Sequence, residues 1–288
     1  MSDSSRLTAA KADDDRLDPA GIERETPSIV WNRLSVAAFP EIGSTNDEAL
    51  RRAREGAPAG LLVIAEHQTE GRGRKGRRWT SPPGSGLCFS LLVRPVSPRR
   101  HWPLLSLLTS VAVARSIEDV AASLEGIRRA VRVDLKWPND VLLSGRKAAG
   151  ILIETTDAPD GSGAVVIGVG VNVGVDSVPP GMEGSAASLS REAGVRVPRR
   201  PLLAAFLQRF QEEYLLFERG ERNAILDRWK ARSSMWDGVR VRVGDAGAWR
   251  EATTCGLSDS GAIRVRLPDG SEQALMAADV SVIVDNQE

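Results

Sequence analysis

The sequence has few of the residues that most often build metal, disulfide or nucleophile sites. Its 288 residues include two cysteines, two histidines and one tyrosine. Cys88 and Cys255 are far apart and lack the CxxC or Cys/His spacing of a zinc site. We therefore expect no tightly bound metal, and we expect both cysteines to be small buried side chains in a reducing, cytoplasmic compartment.

An excess of one charge and a long apolar run are also missing. The chain has 38 Lys and Arg residues against 38 Asp and Glu residues. The N-terminus lacks the apolar core of a signal peptide, and no uninterrupted apolar run reaches ~18 residues. The composition therefore predicts neither a membrane span nor a bulk attraction to DNA or acidic membranes.

Three common catalytic motifs are absent as well. The sequence contains no GxxxxGK[ST], no H-E-x-x-H and no Ser-His-Asp pattern. We therefore expect the chemistry to position an external nucleophile and to stabilise phosphate charge, without a nucleophile from the protein.

The most informative segment that is present reads EHQTEGRGRKGRRW, from Glu66 to Trp79. Glycines space its cations and let the backbone approach a ligand closely, while guanidinium groups bind phosphate oxygens two at a time. The apolar run Leu61–Ala65 precedes it and predicts a strand. The pattern predicts a mobile lid, hinged on a sheet, that closes over a phosphate. Its cations are Arg72, Arg74, Lys75, Arg77 and Arg78.

The same segment is compatible with two other kinds of sequence. If the segment were an RGG-like arm, the chain would be a nucleic-acid-binding module. Such proteins usually have a wider basic surface, and the sequence has no second basic cluster of this density. Gly71 to Gly76 also matches G-x-G-x-x-G, but that fingerprint needs a helix to begin at once, and RRWTSPPG cannot begin one. We retain nucleic-acid binding as an alternative and reject a dinucleotide loop.

A second motif, VDLKWPND, ends at Asp140. A strand carrying Lys136 runs into a proline turn, and Asn139 and Asp140 emerge at its end because Pro138 stops ladder pairing. One interpretation places Asp140 near a metal–phosphate group and lets Lys136 supply positive charge or pair with an acid. The other is an ordinary hydrogen-bonded turn.

Two further motifs combine glycine with one polar side chain. Lys147 stands at the start of an apolar strand, and Gly150 permits close approach, so the lysine could hold the carboxylate and then the phosphate of an activated acid. It could equally be a hairpin lysine. Residues 167–174, IGVGVNVG, predict a packing or ligand-approach strand with a single amide, Asn172.

The pattern of apolar residues predicts an α+β fold, in which a mixed β-sheet is backed by helices, with a small C-terminal SH3-like barrel. Residues 1–28 are polar and non-periodic, which predicts a disordered N-terminal tail. Residues 29–234 mix strands and helices, including one that begins at a Thr45–Glu48 capping box, and form the predicted catalytic domain. Residues 235–288 carry five short alternating segments between turns and form the predicted barrel.

In order along the chain, GSTN ending at Asn46, EHQTEGRGR ending at Arg74, KWPND, KAAGIL and GVGVN ending at Asn172 resemble the biotin protein ligases of the BirA family. The resemblance spans residues 39–284 and implies a class II synthetase-like catalytic domain. Such enzymes join biotin and ATP into biotinyl-5′-AMP with Mg²⁺, then pass biotin to a lysine of a biotin carboxyl carrier domain. Two departures stand out: KAAG replaces the usual KLAG, and the DNA-binding winged helix of repressor members is absent, so no DNA partner is expected.

The resemblance also implies a set of site residues. Arg72, Arg74 and Lys147 would be catalytic, because they lower the repulsion between the biotin carboxylate and ATP, and Asp140 would lie near the phosphates and Mg²⁺. Thr45 would cap its helix while adjacent hydroxyl and amide groups face the ureido ring. A lipoate–protein ligase, which shares the fold and the adenylation logic, remains the alternative enzyme. The residues expected to line the biotin and adenylate site are Ser44, Thr45, Asn46, Gln68, Gly71, Arg72, Gly73, Arg74, Trp79, Lys136, Asn139, Lys147, Gly150 and Asn172.

Overall fold

A computed structural model describes residues 15, 17–26, 30–127, 130–245, 248–276 and 279–282. Of the tail that was predicted to be disordered, residues 1–14, 16, 27 and 28 lie outside this description. The prediction of disorder is wrong for the rest, because Pro19–Glu25 form helix α1. Asp18 caps the helix by accepting a hydrogen bond from Gly21 N at 2.7 Å, and Ile22 is buried in the core. The cap, the packing of Leu17 and Ile22 in the core and the bond between Glu23 and Val36 N order this polar stretch.

The larger sheet has seven strands in the order β1-β2-β3-β7-β6-β5-β4. Its first pair is parallel and the other pairs are antiparallel, so the predicted mixed sheet is confirmed. The strands are β1 (Ser35–Phe39), β2 (Leu61–Ala65), β3 (Gly86–Val93), β4 (Val133–Lys136), β5 (Asp140–Leu143), β6 (Arg146–Asp157) and β7 (Gly163–Asn172).

Helices cover both faces of this sheet. Alternate residues of strand β2 point to opposite faces of the sheet. Leu62 and Ile64 belong to the main core on one face, while Leu61 and Val63 pack into a smaller cluster on the other face, under the helix Thr45–Arg54. The described helices that follow α1 are α2 (Thr45–Arg54), α3 (Leu104–Ser123), α4 (Leu189–Ala193), α5 (Arg199–Glu218) and α6 (Arg222–Lys230). Helix α2 lies on the smaller cluster, and α3 and α5 pack together on the main core.

Both edges of the sheet are covered, which limits pairing with another chain. At the β1 edge, Glu23 of α1 accepts a hydrogen bond from Val36 N at 3.0 Å. At the β4 edge, Leu135 N donates to Arg232 O at 2.8 Å. The N-terminal helix therefore completes the sheet edge that the sequence pattern left open.

The C-terminal segment forms a second, antiparallel sheet of five strands in the order β11-β10-β9-β8-β12, as predicted for an SH3-like domain. Trp137 ties this barrel to the larger domain, because its indole Nε1 donates to Gly261 O at 2.9 Å. Gly261 has φ of +82° and lies against Leu104 and Leu107, where a side chain would collide. The strands are β8 (Asp237–Asp245), β9 (Ala248–Leu257), β10 (Ile263–Arg266), β11 (Glu272–Leu275) and β12 (Asp279–Val282).

Among the described residues, none of the helices is both long and apolar enough to span a membrane.

Candidate active site

A cavity of about 450 Å³ opens between the start of α2, the Gly/Arg segment, the β4–β5 turn, strands β6 and β7, and the edge of the barrel. All but one of the residues predicted to bind substrate line it, and so does Asp140. The exception is Gly71, which lies behind the wall: a Cβ there would be 2.3 Å from Trp79 O, so only glycine fits. Their roles toward a ligand stay predictions. The lining members are Ser44, Thr45, Asn46, Gln68, Arg72, Gly73, Arg74, Trp79, Lys136, Asn139, Lys147, Gly150 and Asn172.

The start of α2 supplies a group of hydroxyl and amide side chains. The prediction that Thr45 caps this helix is wrong: Ser44 is the N-cap, and its Oγ accepts from Asp47 N at 3.4 Å. Thr45 instead donates from both its backbone N and its Oγ1 to Gln68 Oε1, at 2.8 and 3.1 Å. Thr45 therefore bonds to Gln68 and not to the backbone at the start of α2, and the two bonds fix the orientation of the glutamine amide.

Two residues that the sequence did not single out complete this group. Ser90 is fully buried on β3, and its Oγ lies 2.8 Å from Thr45 Oγ1 and 2.5 Å from Asn46 Oδ1. Asn46 Nδ2 donates to Glu154 Oε2 at 2.7 Å. The asparagine rests against Gly168, where a Cβ would come within 2.1 Å of its Oδ1. The sequence signal for Ser90 was a polar residue inside an otherwise apolar strand, whereas Glu154 begins the polar end of β6 and carried no such signal.

The Gly/Arg segment is folded over the cavity as a tight loop. Gly73 N donates to Arg77 O at 2.7 Å, and Trp79 N donates to Gly71 O at 2.9 Å. Arg74 Nη1 reaches across to Asn139 Oδ1, at 3.2 Å. The segment therefore contacts the opposite wall of the cavity, which is not the geometry of an extended basic arm.

The indole of Trp79 lies against two glycines of the sheet. A Cβ on Gly170 would be 2.4 Å from the indole Cε2, and one on Gly150 would be 3.3 Å from its Cζ3. Cys88, the partner of Gly170 in the adjacent strand, lies close to Gln68 and Trp79, which lower the pKa of its thiol. Burial nevertheless dominates and raises the pKa of the Cys88 thiol to about 11. The glycines predicted to serve packing or ligand approach thus make room for an aromatic wall.

The KWPND turn positions one carboxylate and one amide. Asn139 Nδ2 donates to Ile151 O at 2.9 Å, and Ile151 N donates back to Asn139 O at 2.9 Å. Asp140 begins β5, and its Oδ1 lies 2.7 Å from Lys147 Nζ. Lys136 lines the cavity as well. The hydrogen-bonded turn is therefore confirmed, and the role of Asp140 near a metal–phosphate group stays a prediction.

Lys147 lies inside strand β6, and its backbone is fixed on both sides. Its N donates to Ser185 O and its O accepts from Ala187 N, each at 2.9 Å. The side chain keeps 37% of its surface exposed, and Nζ stands 5.7 Å from the centre of the Trp79 ring. A firmly held backbone beneath a partly exposed ammonium group suits a cation that must meet an anion entering the cavity.

The barrel contributes to the mouth of the cavity. Trp249, 46% exposed, lines it together with Pro179 and Met182. The sequence did not predict this role, because an aromatic residue in a short alternating strand is indistinguishable from an ordinary barrel residue.

The fold and this cavity define a synthetase-like catalytic domain with an appended SH3-like domain. Residues 38–172 match the Biotin/lipoate A/B protein ligase family. The chain is 38% identical over 239 residues to the biotin--[acetyl-CoA-carboxylase] ligase of Mycobacterium tuberculosis, covering 80% of this chain and 84% of the relative. It is 32% identical over 243 residues to the bifunctional ligase/repressor BirA of Bacillus spizizenii, covering 84% of this chain and 72% of the relative.

A solved structure supports the same assignment. The biotin protein ligase from Aquifex aeolicus in complex with biotin and ATP superposes with a TM-score of 0.71 at 25% identity, covering 86% of this chain and 98% of that one. The chain belongs to the biotin/lipoate A/B protein ligase family, and its predicted resemblance to the biotin protein ligases is confirmed.

Proposed function

We propose that this protein is an ATP-dependent biotin protein ligase that forms biotinyl-5′-AMP and transfers biotin to a lysine of a biotin carboxyl carrier domain. The proposal rests on one observation: buried hydroxyl and amide side chains and a set of cations line the same cavity. The relative from M. tuberculosis is named for acetyl-CoA carboxylase, and the A. aeolicus ligase holds biotin and ATP.

The cations act on the first half-reaction. The biotin carboxylate attacks the α-phosphorus of ATP and pyrophosphate leaves, so two anions must approach each other. Arg72, Arg74 and Lys147 line the space where they meet and lower that repulsion, most strongly where water is excluded. The folded lid then keeps water from the mixed anhydride until the acceptor arrives.

The second half-reaction uses the open mouth of the cavity. The amine of the carrier lysine attacks the acyl carbon of the adenylate, the new amide bond forms, and AMP leaves with the electron pair of the broken bond. The apolar residues Pro179, Met182 and Trp249 at the mouth give the incoming segment a dry approach. We place this reaction in the cytoplasm and expect neither DNA nor a membrane as a partner.

Magnesium is part of this proposal as a companion of ATP. Among the residues that the structure describes, no group of three or more His, Cys, Asp or Glu side chains could hold a metal ion. Asp140, the carboxylate predicted for this role, fits a Mg²⁺ held mainly by phosphates, because such an ion needs only one or two carboxylates from the protein. Bound there, the ion would neutralise phosphate charge.

The buried polar group favours biotin over lipoate. Beyond their bonds within the protein, the amide groups of Asn46 and Gln68 have further N–H capacity that the ureido ring can use and a dithiolane ring cannot, and each N–H left buried and unpaired costs about 1–3 kcal/mol. The test measures pyrophosphate release with biotin and lipoate in competition. Release should follow biotin at low concentration, and an equal or greater response to lipoate would contradict the proposal.

A further inference from the structure

One carboxylate is bonded to two residues of the cavity wall and so joins two elements that the proposed reaction needs. Glu154 lies near the end of β6, and its Oε2 accepts hydrogen bonds from Asn46 Nδ2 at 2.7 Å and from Arg72 Nη2 at 2.8 Å. The first donor belongs to the hydroxyl and amide group at the start of α2, and the second to the lid. A single oxygen atom therefore links the two.

The bond to Asn46 fixes which way its amide points. Ser90 Oγ can give its one proton to Asn46 Oδ1, at 2.5 Å, because that oxygen carries none of its own. With Oδ1 toward Ser90 and Nδ2 toward Glu154, both ends of the amide are assigned. Asn46 Oδ1 occupies the space that a Cβ on Gly168 would need, so only glycine at this position accommodates the arrangement. The Asn46 amide is therefore presented in one orientation.

The bond to Arg72 anchors the lid. Its Nη2 also lies 2.5 Å from Asp47 Oδ1, so two carboxylates hold one guanidinium nitrogen. Among the described residues, no hydrogen bond involves Nε or Nη1 of Arg72, and these donors remain for an anionic ligand. Two acids holding one arginine keep the segment folded against the cavity, since charge-assisted bonds are stronger than neutral ones.

We propose that Glu154 is a positioning residue that couples recognition of the biotin ring to closure of the lid. This inference rests on the proposed function. Glu154 has no reacting atom of its own: it orients Asn46 toward the ring and holds Arg72 over the adenylate. Glu154 thereby holds the lid on the side where the ring binds, so the intermediate is retained.

Two substitutions separate the two links. Glu154→Gln keeps an oxygen that can accept from Asn46 but loses the charge that holds Arg72. Glu154→Ala loses both. Asp157→Asn is the matched control, because Asp157 lies on the same strand, is also paired with an arginine (Arg99), and is 59% exposed. It should change neither measured quantity.

The experiment measures biotin affinity without ATP and the dissociation rate of biotinyl-adenylate, for each full-length variant. Glu154→Gln should release the adenylate about tenfold faster with biotin affinity within about threefold of wild type, because one charge-assisted bond becomes at most neutral. Glu154→Ala should show the faster release and about tenfold weaker biotin binding.

The contradicting results are distinct from a failure of the proposed function. If wild type forms no biotinyl-adenylate, the function is wrong. If wild type forms it and both Glu154 variants retain it as well as Asp157→Asn does, Glu154 is not a positioning residue. Equal losses of biotin affinity and adenylate retention in Glu154→Gln and Glu154→Ala would show a general structural defect and would also overturn the inference.

Discussion

Replacing Lys147 by alanine tests one of the three cations that we propose to assist acid activation. Its Nζ lies 2.7 Å from Asp140 Oδ1 and 5.7 Å from the centre of the Trp79 ring, at the wall of the cavity. The substitution removes one cation where two anions must meet. It also leaves the Asp140 carboxylate unpaired, which adds repulsion toward phosphate.

The expected loss follows from one charge-assisted hydrogen bond in a partly exposed site, about 1.5–3 kcal/mol, or roughly 10- to 150-fold in rate. The kcat/KM of adenylate formation, measured as pyrophosphate release at sub-saturating biotin, should fall by that factor. Binding of ATP alone should weaken less, because the other lining cations remain.

Lys230→Ala is the matched control. Lys230 pairs with Asp227 at 3.3 Å and lies 5.5 Å from the centre of the Trp236 ring, so it has the same kinds of neighbours away from the cavity. The control should leave adenylate formation unchanged. An unchanged rate for Lys147→Ala, or an equal loss in both variants, would refute the reasoning.

Three further predictions concern the lid, the barrel and the buried thiol. Arg74→Gly removes a bond that holds the lid against the cavity, and a loss of roughly 1.4–3 kcal/mol should make biotinyl-adenylate dissociate about 10- to 100-fold faster. The released adenylate should then biotinylate bystander proteins. Equal dissociation rates for wild type and variant would show that Arg74 does not hold the lid. Trp249→Ala should slow ligation because it removes the barrel's aromatic side chain from the cavity mouth. Met276 is an equally exposed residue of the barrel, and Met276→Ala should not slow ligation. Equal rates in these two variants would exclude a role for the barrel. In a Cys255→Ser background, Cys88 should be alkylated slowly at pH 8, since its pKa is raised to about 11 and the thiolate is scarce below that value. Addition of biotin and ATP should slow the alkylation further. Rapid alkylation of the liganded protein would contradict the buried placement of Cys88.

Local pattern was sufficient for most of the fold. The apolar run Leu61–Ala65 forms a strand with the predicted ends, and the helix predicted to begin at Thr45–Glu48 runs from Thr45 to Arg54. These elements are specified by periodicity and by residues close in sequence. The N-terminal helix was missed because its stability comes from tertiary contacts, such as Ile22 in the core and Glu23 on the sheet edge.

The site was predictable only where glycine and charge stand together in sequence. The Gly/Arg segment and the KWPND turn are readable as motifs, and their lining residues meet in one cavity. Thr45 was assigned the wrong bond because its true partner, Gln68, is 23 residues away. Ser90 and Glu154 depend on strand register and on which face each side chain occupies, which short-range patterns do not specify.

The measurement that tests the central claim most directly is detection of the intermediate and of its transfer. The protein is incubated with biotin, ATP and Mg²⁺, its bound nucleotide is analysed by mass spectrometry, and a biotin carboxyl carrier domain is then added. The account predicts biotinyl-5′-AMP in the first step and a biotinylated carrier lysine with free AMP in the second. Absence of the adenylate from active, folded protein, or formation of a lipoyl-adenylate in its place, would contradict it.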